Sequence, residues 1–414
     1  MNILLAGSST FGVKNLGDDA MLSCLVLTLR LQFPQAKISI LLRHPEGDYG
    51  DLFGIRVLKN FDHDDSESAA GRFFLGLNEG DERRQLADIY NEVASADLLI
   101  IAGNSLMALG PPSLFRGVSS YATLMATLSA FANTPYIVWG LNVVDPLEDP
   151  ALVAQARFLI GGAGSVNVRE PAALEHLSDA LGSAPVQKVA VGTDPAWGLD
   201  EKAVGNVDTT RLLECTGYRG LLDGQFISLN LRSEYWSSSP KDEYQLGQGL
   251  EALRWATERG LDVLLVPNCV YGKGAKLQDD RAFHRMLLER AGSPRNVYSI
   301  ENELTVFETV KLLSFSHAHV TNRRHSAFFS VMGRVPTVVL STSLATHNTG
   351  WFTQDARGDH SGVLLGETST AEALSTLAAR TQPLSFPNID ALRQQARGEI
   401  VIEAARENTL GTAG

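Results

Sequence analysis

Short runs of apolar residues alternate along the chain with longer segments whose apolar residues recur every three or four positions. The short runs predict β-strands, and the longer segments predict amphipathic helices. Regular alternation of the two is typical of βα units on a parallel sheet whose faces are covered by helices. The pattern therefore predicts an α/β fold.

In the first half of the chain the pattern is regular up to Trp197. The predicted strands are Asn2–Ala6, Lys37–Leu42, Ile55–Leu58, Asp97–Ala102, Pro135–Leu141, Ser165–Val168 and Lys188–Val191. The predicted helices are Asp19–Phe33, Glu82–Ala94, Tyr121–Phe131 and Pro171–Leu181. The segment from Gly198 to Gly224 is polar and contains several glycines around a short predicted helix at Thr210–Cys215, which is typical of a linker.

A second series of strands and helices begins at Gln225. Its predicted strands are Gln225–Arg232, Leu261–Pro267, Val297–Ile300, His317–Thr321 and Thr337–Ser341. Its predicted helices are Glu243–Arg259, Ala282–Arg290, Thr305–Leu313 and Ser326–Met332, and Ile389–Thr409 is also helical by pattern. We therefore predict Rossmann-like domains over residues 1–200 and 225–385, a linker over 201–224, and a tail over 386–414 whose helix packs back across the domain boundary.

Composition limits the function classes. The chain has 414 residues, 44% hydrophobic and 20% charged, as expected for a folded protein of roughly two or three domains. Its formal net charge of −12, without a block of Lys and Arg, argues against nucleic-acid binding. Three widely spaced cysteines do not suggest a disulfide framework. The N-terminal apolar run reads as a strand rather than a signal peptide, and no run is long enough to span a bilayer, so we expect a cytoplasmic protein with any membrane contact peripheral.

Ligands of open parallel sheets bind at the carboxyl ends of strands, and two such domains facing one another would form a cleft. After the first strand, Asn15, Gly17 and Asp18 form a polar, glycine-containing turn. This turn contacts a ligand or simply caps the next helix, and the sequence leaves both readings open. It matches neither the dinucleotide-binding G-x-G-x-x-G pattern nor a phosphate-binding Gly-Lys-Ser/Thr loop.

Further candidates follow later strands. Asn104 and Ser105 lie after a buried strand, where a glycine lets the backbone approach a ligand; a tight structural turn is the alternative. Arg169 also follows a strand, and its forked guanidinium suits a carboxylate or phosphate, although a surface Arg–Glu pair would look the same in sequence. Arg232 and Asn268 each close a strand at the level where the cleft should open.

The most informative segment contains Arg323, Arg324 and His325 at a strand-to-helix junction. Backbone N–H groups and the helix dipole favour anions there, and a histidine such as His325 can deliver a proton. His317 and His319 precede the segment at strand spacing. A zinc site is disfavoured because no thiol or carboxylate completes a ligand set, and a core-facing, hydrogen-bonded pair is expected instead.

In this order the segments resemble the polysaccharide pyruvyl transferase family. The family pattern is an Asn-x-Gly-Asp turn, a glycine turn ending in Ser-Leu, an Arg after a mid-chain strand, Asp-Pro-Ala, and Arg-x-His followed by Gly-x-Pro. The matching residues here are Asn15, Gly17, Asp18, Gly103, Ser105, Leu106, Arg169, Asp194, Pro195, Ala196, Arg323, His325 and, more loosely spaced, Gly333 and Pro336. Two departures are Asn104 at a position that is often glycine and the lack of a Lys in the loop Ser341–Asn348.

The resemblance implies a GT-B-like fold with the active site between an N-terminal acceptor domain and a C-terminal donor domain. It implies phosphoenolpyruvate as donor substrate, a sugar or lipid-linked oligosaccharide as acceptor, a ketal product, and no cofactor or metal. Under this hypothesis Arg169 and Arg323 hold the donor, His325 donates a proton or stabilises the leaving phosphate, and Asp18 orients or deprotonates the acceptor hydroxyl. Two alternatives remain: a nucleotide-sugar glycosyltransferase of the same fold, and a catalytically silent sugar-binding relative.

Overall fold

The computed structural model describes residues 1–7, 15–42, 49–60, 81–102, 118–143, 146–233, 240–270, 279–341, 361–364, 369–379 and 388–398. The chain divides into two compact units. Unit 1 comprises residues 1–13, 18–199 and 392–414, and unit 2 comprises residues 14–17 and 200–391.

Unit 1 contains a seven-stranded parallel sheet in the order β3-β2-β1-β4-β5-β6-β7. Its strands are β1 (Asn2–Gly7), β2 (Lys37–Leu42), β3 (Arg56–Lys59), β4 (Leu98–Ala102), β5 (Tyr136–Leu141), β6 (Val166–Val168) and β7 (Val189–Val191). Its helices are α1 (Leu16–Gln32), α2 (Tyr49–Phe53), α3 (Asp81–Ser95), α4 (Val118–Ala132), α5 (Pro150–Gly162), α6 (Pro171–Leu181) and α7 (Ser183–Val186), followed by a 3₁₀ turn at Pro195–Gly198. A continuous apolar core packs helices against one face of the sheet.

Unit 2 has a six-stranded parallel sheet in the order β10-β9-β8-β11-β12-β13. Its strands are β8 (Phe226–Asn230), β9 (Asp262–Leu265), β10 (Val297–Ser299), β11 (Ala318–Thr321), β12 (Thr337–Ser341) and β13 (Ser361–Leu364). Its helices are α8 (Glu201–Gly205), α9 (Thr209–Thr216), α10 (Pro240–Glu258), α11 (Asp280–Ala291), α12 (Val306–Leu313), α13 (Arg324–Met332) and α14 (Thr370–Ala378); helix α15 (Ile389–Ala396) runs across the assigned boundary. A 3₁₀ turn lies at Leu221–Asp223.

Both sheets have the strand order of Rossmann folds, so the chain is an α/β protein with two Rossmann-like units. The strand order reverses between β1 and β4 in unit 1 and between β8 and β11 in unit 2. Loops at the carboxyl ends of such strand pairs are where ligands bind in this architecture. In unit 2, this places the segments after β8 and β11 at the switch point.

Most predicted elements are present in the structure. Helices α2, α5, α7 and α14 and strand β13 were not predicted from the sequence. Residues 201–224, predicted as a linker, contain α8, α9 and the 3₁₀ turn at Leu221–Asp223, and are grouped with unit 2. The C-terminal helix is described only over Ile389–Ala396, and the rest of its predicted length lies outside the described residues.

Candidate active site

The loops after β8 and β11 are joined at the switch point of unit 2. The strands run in parallel, with Thr321 opposite Asn230. Just beyond them, the backbone N–H of Arg232 donates to the side-chain oxygen of Asn322 at 3.0 Å. The side-chain amide of Asn322 donates in turn to the carbonyl of Arg232 at 2.9 Å. This two-way bond fixes the position at which helix α13 begins.

Arg323 is the N-cap residue of α13, and its side chain points to a buried carboxylate rather than back to the helix. Its Nε donates to Oδ1 of Asp280 at 3.0 Å, and its Nη2 contacts the same oxygen. The Asp280 side chain is fully buried. The charge of Arg323 is therefore balanced within the protein, which stabilises both ions where neither could be buried alone.

Asp280 also connects the carboxyl-terminal ends of three strands. Its Oδ2 accepts from the side-chain amide of Asn230 at 3.1 Å and from the backbone N–H groups of Asn268 at 2.9 Å and Cys269 at 3.0 Å. Asp279 is the N-cap of α11 and accepts from the backbone of Arg281, whereas the role of Asp280 was not predicted from the sequence. The sequence did contain a signal for this role: one aspartate is enough to cap a helix, so the second of two adjacent aspartates is available for another function.

The Asn-x-Gly-Asp turn and the Arg-x-His segment meet within unit 2. The backbone N–H of Gly17 is bonded to the side chain of Asn15 at 3.2 Å. A Cβ atom at Gly17 would lie 2.0 Å from Nδ1 of His325 and within 3 Å of two other ring atoms. No side chain other than hydrogen fits at this distance, so a glycine is required for the imidazole to occupy its place.

His325 and Arg324 share an apolar support in the first turn of α13. The His325 ring lies edge-on to the Phe328 ring, with centroids 5.6 Å apart. The Arg324 guanidinium carbon lies 5.5 Å from the centroid of the same ring. Both residues are partly exposed. A cation and an imidazole at a helix N-terminus can attract an anion and exchange a proton with it.

His319 supports this helix turn from inside the sheet. It is fully buried, with Nδ1 2.8 Å from the Ser228 hydroxyl and Nε2 2.9 Å from the Ser326 hydroxyl. Burial lowers its pKa to about 3, so the ring is neutral at physiological pH. His317 was expected to face the core with it, but His317 is exposed because β11 begins one residue later.

In unit 1, Arg169 is enclosed by protein acceptors. Its Nε donates to the carbonyl of Gly140 at 2.8 Å, its Nη1 donates to Asp194 at 3.2 Å, and its Nη2 contacts the sulfur of Met21. The surface Arg–Glu pair considered from the sequence does not describe this residue, which is 3% exposed. Asp194 also caps the 3₁₀ turn that follows it, accepting from the backbone of Ala196 at 3.0 Å.

The sequence profile of the polysaccharide pyruvyl transferase family matches residues 15–343. The chain belongs to this family. The matched region includes the Asn15–Asp18 turn, Arg169, Arg323 and His325, which are among the residues on which the sequence-based resemblance rested. No curated protein matches the chain in sequence.

Solved structures share the fold of this pyruvyl transferase family member. UDP-GlcNAc 2-epimerase from Methanocaldococcus jannaschii aligns with a TM-score of 0.61 at 10% identity, over 96% of this chain and 98% of that one. The Neisseria meningitidis UDP-GlcNAc 2-epimerase bound to UDP-GlcNAc gives 0.56 at 14% identity, over 96% and 95%. Anabaena Alr3699/HepE in complex with UDP gives 0.54 at 12% identity, over 96% and 94%. These likenesses show a GT-B-type fold.

Asn104 and Ser105 lie outside the described residues, as does most of the loop that lacks the family Lys. Asp18 is fully buried in the first turn of α1, and its neighbour Asp19 accepts from the Tyr49 hydroxyl at 3.0 Å. The predicted roles of Asp18, Arg232 and Asn268 toward a substrate therefore stay predictions.

Among the described residues of this family member, no group of three or more His, Cys, Asp or Glu side chains is placed to hold a metal ion. None of the helices described combines the length and apolar character needed to cross a bilayer.

Proposed function

We propose that the protein transfers the pyruvyl group of phosphoenolpyruvate to hydroxyls of a sugar in a polysaccharide or its precursor, forming a ketal. The observation that carries this proposal is the contact of Gly17 with the ring of His325. Two motifs of the pyruvyl transferase family, distant in sequence, meet at the switch point of unit 2. Membership of the family supports the reaction class.

The reaction makes specific demands on the site. The methylene carbon of the donor gains a proton, a sugar hydroxyl adds to the resulting cation and loses its proton, and the C–O bond to phosphate breaks. Loss of phosphate leaves a second cation on the same carbon. A second sugar hydroxyl adds to this cation and loses its proton, which closes the ketal ring. General acid–base help of this kind is worth about 10²–10⁴-fold in rate.

We assign the proton transfer to His325, which donates to the methylene carbon or to the leaving phosphate. Arg324 and the N-terminal turn of α13 are the groups that attract the phosphate, because they combine a partly exposed cation with a helix N-terminus. Arg323 and Arg169 remain predicted ligands of the donor. Since each is already paired with an aspartate, each would add less net charge than an unpaired arginine.

The decisive experiment incubates the purified protein with phosphoenolpyruvate and a panel of hexose and disaccharide acceptors. We expect inorganic phosphate to be released only when a suitable acceptor is present, and mass spectrometry to show the acceptor gaining one pyruvyl ketal. Phosphate release without a modified acceptor, or no release with any acceptor, would count against the proposal. The natural acceptor is expected to be a polysaccharide unit or a lipid-linked precursor, met in the cytoplasm with any membrane contact peripheral.

A nucleotide-sugar transferase is the second candidate, favoured by the fold. The solved structures that share the fold include proteins bound to UDP-GlcNAc and UDP, and a cationic helix N-terminus would also suit a diphosphate. Thermal-shift measurements separate the two. Stabilisation by phosphoenolpyruvate but not by UDP- or GDP-sugars supports pyruvyl transfer, and the reverse supports the glycosyltransferase. Binding without turnover of either donor would indicate a catalytically silent relative.

A further inference from the structure

Asp280 is linked to His325 by two separate routes within unit 2. The first route runs through Arg323, whose guanidinium binds one oxygen of Asp280. Arg323 is the N-cap of α13 and His325 is its second residue, so a shift of Arg323 moves the imidazole with the helix end. Because the Asp280 side chain is fully buried and that of Arg323 is 11% exposed, this ion pair is poorly screened by solvent.

The second route runs through the loop after β9. The other oxygen of Asp280 accepts from the backbone of Asn268 and Cys269, and the backbone N–H of Asp280 donates to the Cys269 carbonyl at 3.0 Å. The carbonyl of Asn268 accepts from the backbone of Leu16 at 3.0 Å, and Cys269 forms an antiparallel bridge with Asn15. These bonds hold the turn that presses Gly17 against the His325 ring.

We infer that Asp280 is the positioning residue of His325, fixing the helix that carries the imidazole through Arg323 and the glycine turn that confines it through Asn268 and Cys269. This inference rests on the proposed function only in assigning His325 a catalytic role. The position of the ring itself is a structural matter that can be measured without turnover.

A simpler role for Asp280 would be to stabilise the N-terminus of α11. Asp279 already supplies that function, because its Oδ1 accepts from the backbone N–H of Arg281 at 3.0 Å. The side chain of Asp280 instead accepts from Asn230 at the end of β8 and from groups that follow β9 and β11. The bonds of Asp280 therefore hold the ends of three strands together. Asp279 and Asp280 are adjacent aspartates with different roles, so Asp279 is a suitable control for Asp280.

The experiment compares Asp280→Asn with Asp279→Asn. In both variants asparagine keeps the shape of the aspartate side chain but removes its negative charge. Asparagine is also a good N-cap residue, so it can still cap α11 at position 279. In Asp280→Asn we expect kcat for phosphate release to fall about 100-fold, the loss typical of a reacting group displaced by about 1 Å, with a smaller change in KM for phosphoenolpyruvate. In Asp279→Asn we expect kcat to stay within about twofold of the wild type, because the capping bond is retained.

NMR of the histidine rings gives a readout independent of activity. The chain has nine histidines, and a His325→Gln variant identifies the signal of His325. We expect Asp280→Asn, but not Asp279→Asn, to shift that signal, with circular dichroism showing a folded protein. If wild-type protein releases no phosphate with any acceptor, the proposed function fails, while the ring signal still decides the inference. A His325 signal unchanged by Asp280→Asn overturns the positioning role.

Asp280→Glu covers the case in which Asp280→Asn does not fold. It keeps the negative charge opposite Arg323 but moves the carboxylate by one methylene group, so the bonds to Asn268 and Cys269 cannot all be kept. We expect a folded protein with a shifted His325 signal and a kcat loss of about tenfold, smaller than the loss expected for a full displacement. A wild-type signal and wild-type kcat in Asp280→Glu would overturn the inference.

Discussion

Each unit contains an arginine that follows a strand, precedes a helix and pairs with an aspartate, but the two pairs have different surroundings. In unit 1 the side chains of Arg169 and Asp194 are both only 1% exposed. In unit 2 the side chain of Arg323 is 11% exposed, and it is followed by two partly exposed residues, Arg324 and His325. The first pair is enclosed in the core, whereas the second lies next to partly exposed residues.

From this difference we predict that loss of the unit 1 pair mainly lowers stability, whereas loss of the unit 2 pair mainly lowers turnover. Arg169 contacts acceptors on three segments: the Gly140 carbonyl on β5, Met21 on α1, and Asp194, which caps the following 3₁₀ turn. Burying a guanidinium is costly, and pairing with Asp194 offsets that cost. Its contacts hold unit 1 together, whereas the Arg323 pair sets the start of the helix that presents His325.

The largest expected effect is on turnover, at His325. His325→Ala should lower kcat for phosphate release from phosphoenolpyruvate by about 10²–10⁴-fold, because it removes the proposed proton donor. Circular dichroism should show an unchanged fold. His317→Ala is the matched control, since His317 is exposed and lies just before β11, and it should retain wild-type turnover. Near-normal activity of His325→Ala would show that the chemistry lies elsewhere.

For the Arg169–Asp194 pair of unit 1, the comparison predicts a loss of stability rather than of turnover. Arg169→Met should lower the free energy of unfolding by about 3–5 kcal/mol, because it leaves the carboxylate of Asp194 buried without its counter-ion. Urea titration followed by circular dichroism measures the change. Arg157→Met, an exposed substitution on α5, should stay within about 0.5 kcal/mol of the wild type. If Arg169→Met is as stable as Arg157→Met, the enclosed pair does not hold unit 1 together.

Most elements of the fold could be predicted because their signals are local. Strands β2 and β12 and helix α6 have the predicted bounds. Helix α5 was missed because apolar residues surround most of its circumference and leave no amphipathic period, although its Asp149-Pro150 start is a recognisable cap. Strand β13 is a four-residue edge strand rich in small residues, and such a segment carries little pattern.

The residues of the site were predicted, but the contacts between them were not. Asn15, Gly17, Arg323 and His325 were singled out as local turns and junctions, and their residue types indicated anion chemistry. The contact of Gly17 with His325 and the pairing of Arg323 with Asp280 join segments far apart in sequence. Local patterns hold no information about such pairs, which only the sheet topology brings together.

A smaller loss of turnover is expected from Gly17→Ala. The added methyl group would overlap the His325 ring and force it to move, and a displacement of about 1 Å typically costs about 100-fold in rate. Gly247→Ala is the control: it lies in helix α10 with nothing within 4 Å of the added atom, so activity should be unchanged. Steady-state assays of phosphate release compare the two. Equal activity in both variants would mean that the position of the ring is not critical.

The smallest expected effect concerns the surroundings of the Arg323–Asp280 pair. His284 lies one helical turn after Asp280, is fully buried, and neither ring nitrogen has a hydrogen-bond partner among the described residues. Burial lowers its pKa to about 4, whereas the unfolded chain has an ordinary value near 6.5. Below about pH 6.5 the unfolded state therefore binds more protons, and the stability contributed by this group falls as the pH is lowered toward about 4.

His284→Leu removes both the unpaired nitrogens and this titration. We expect the variant to be about 1 kcal/mol more stable than the wild type at pH 7, because an apolar group replaces buried polar atoms. The gain should grow by about 1.4 kcal/mol for each pH unit below 6.5, down to about pH 4, as the wild type alone loses stability. Urea unfolding at pH 7 and pH 5 measures both. A variant less stable than the wild type at both pH values would mean that the His284 ring is hydrogen-bonded. Water would then be present around the Arg323–Asp280 pair.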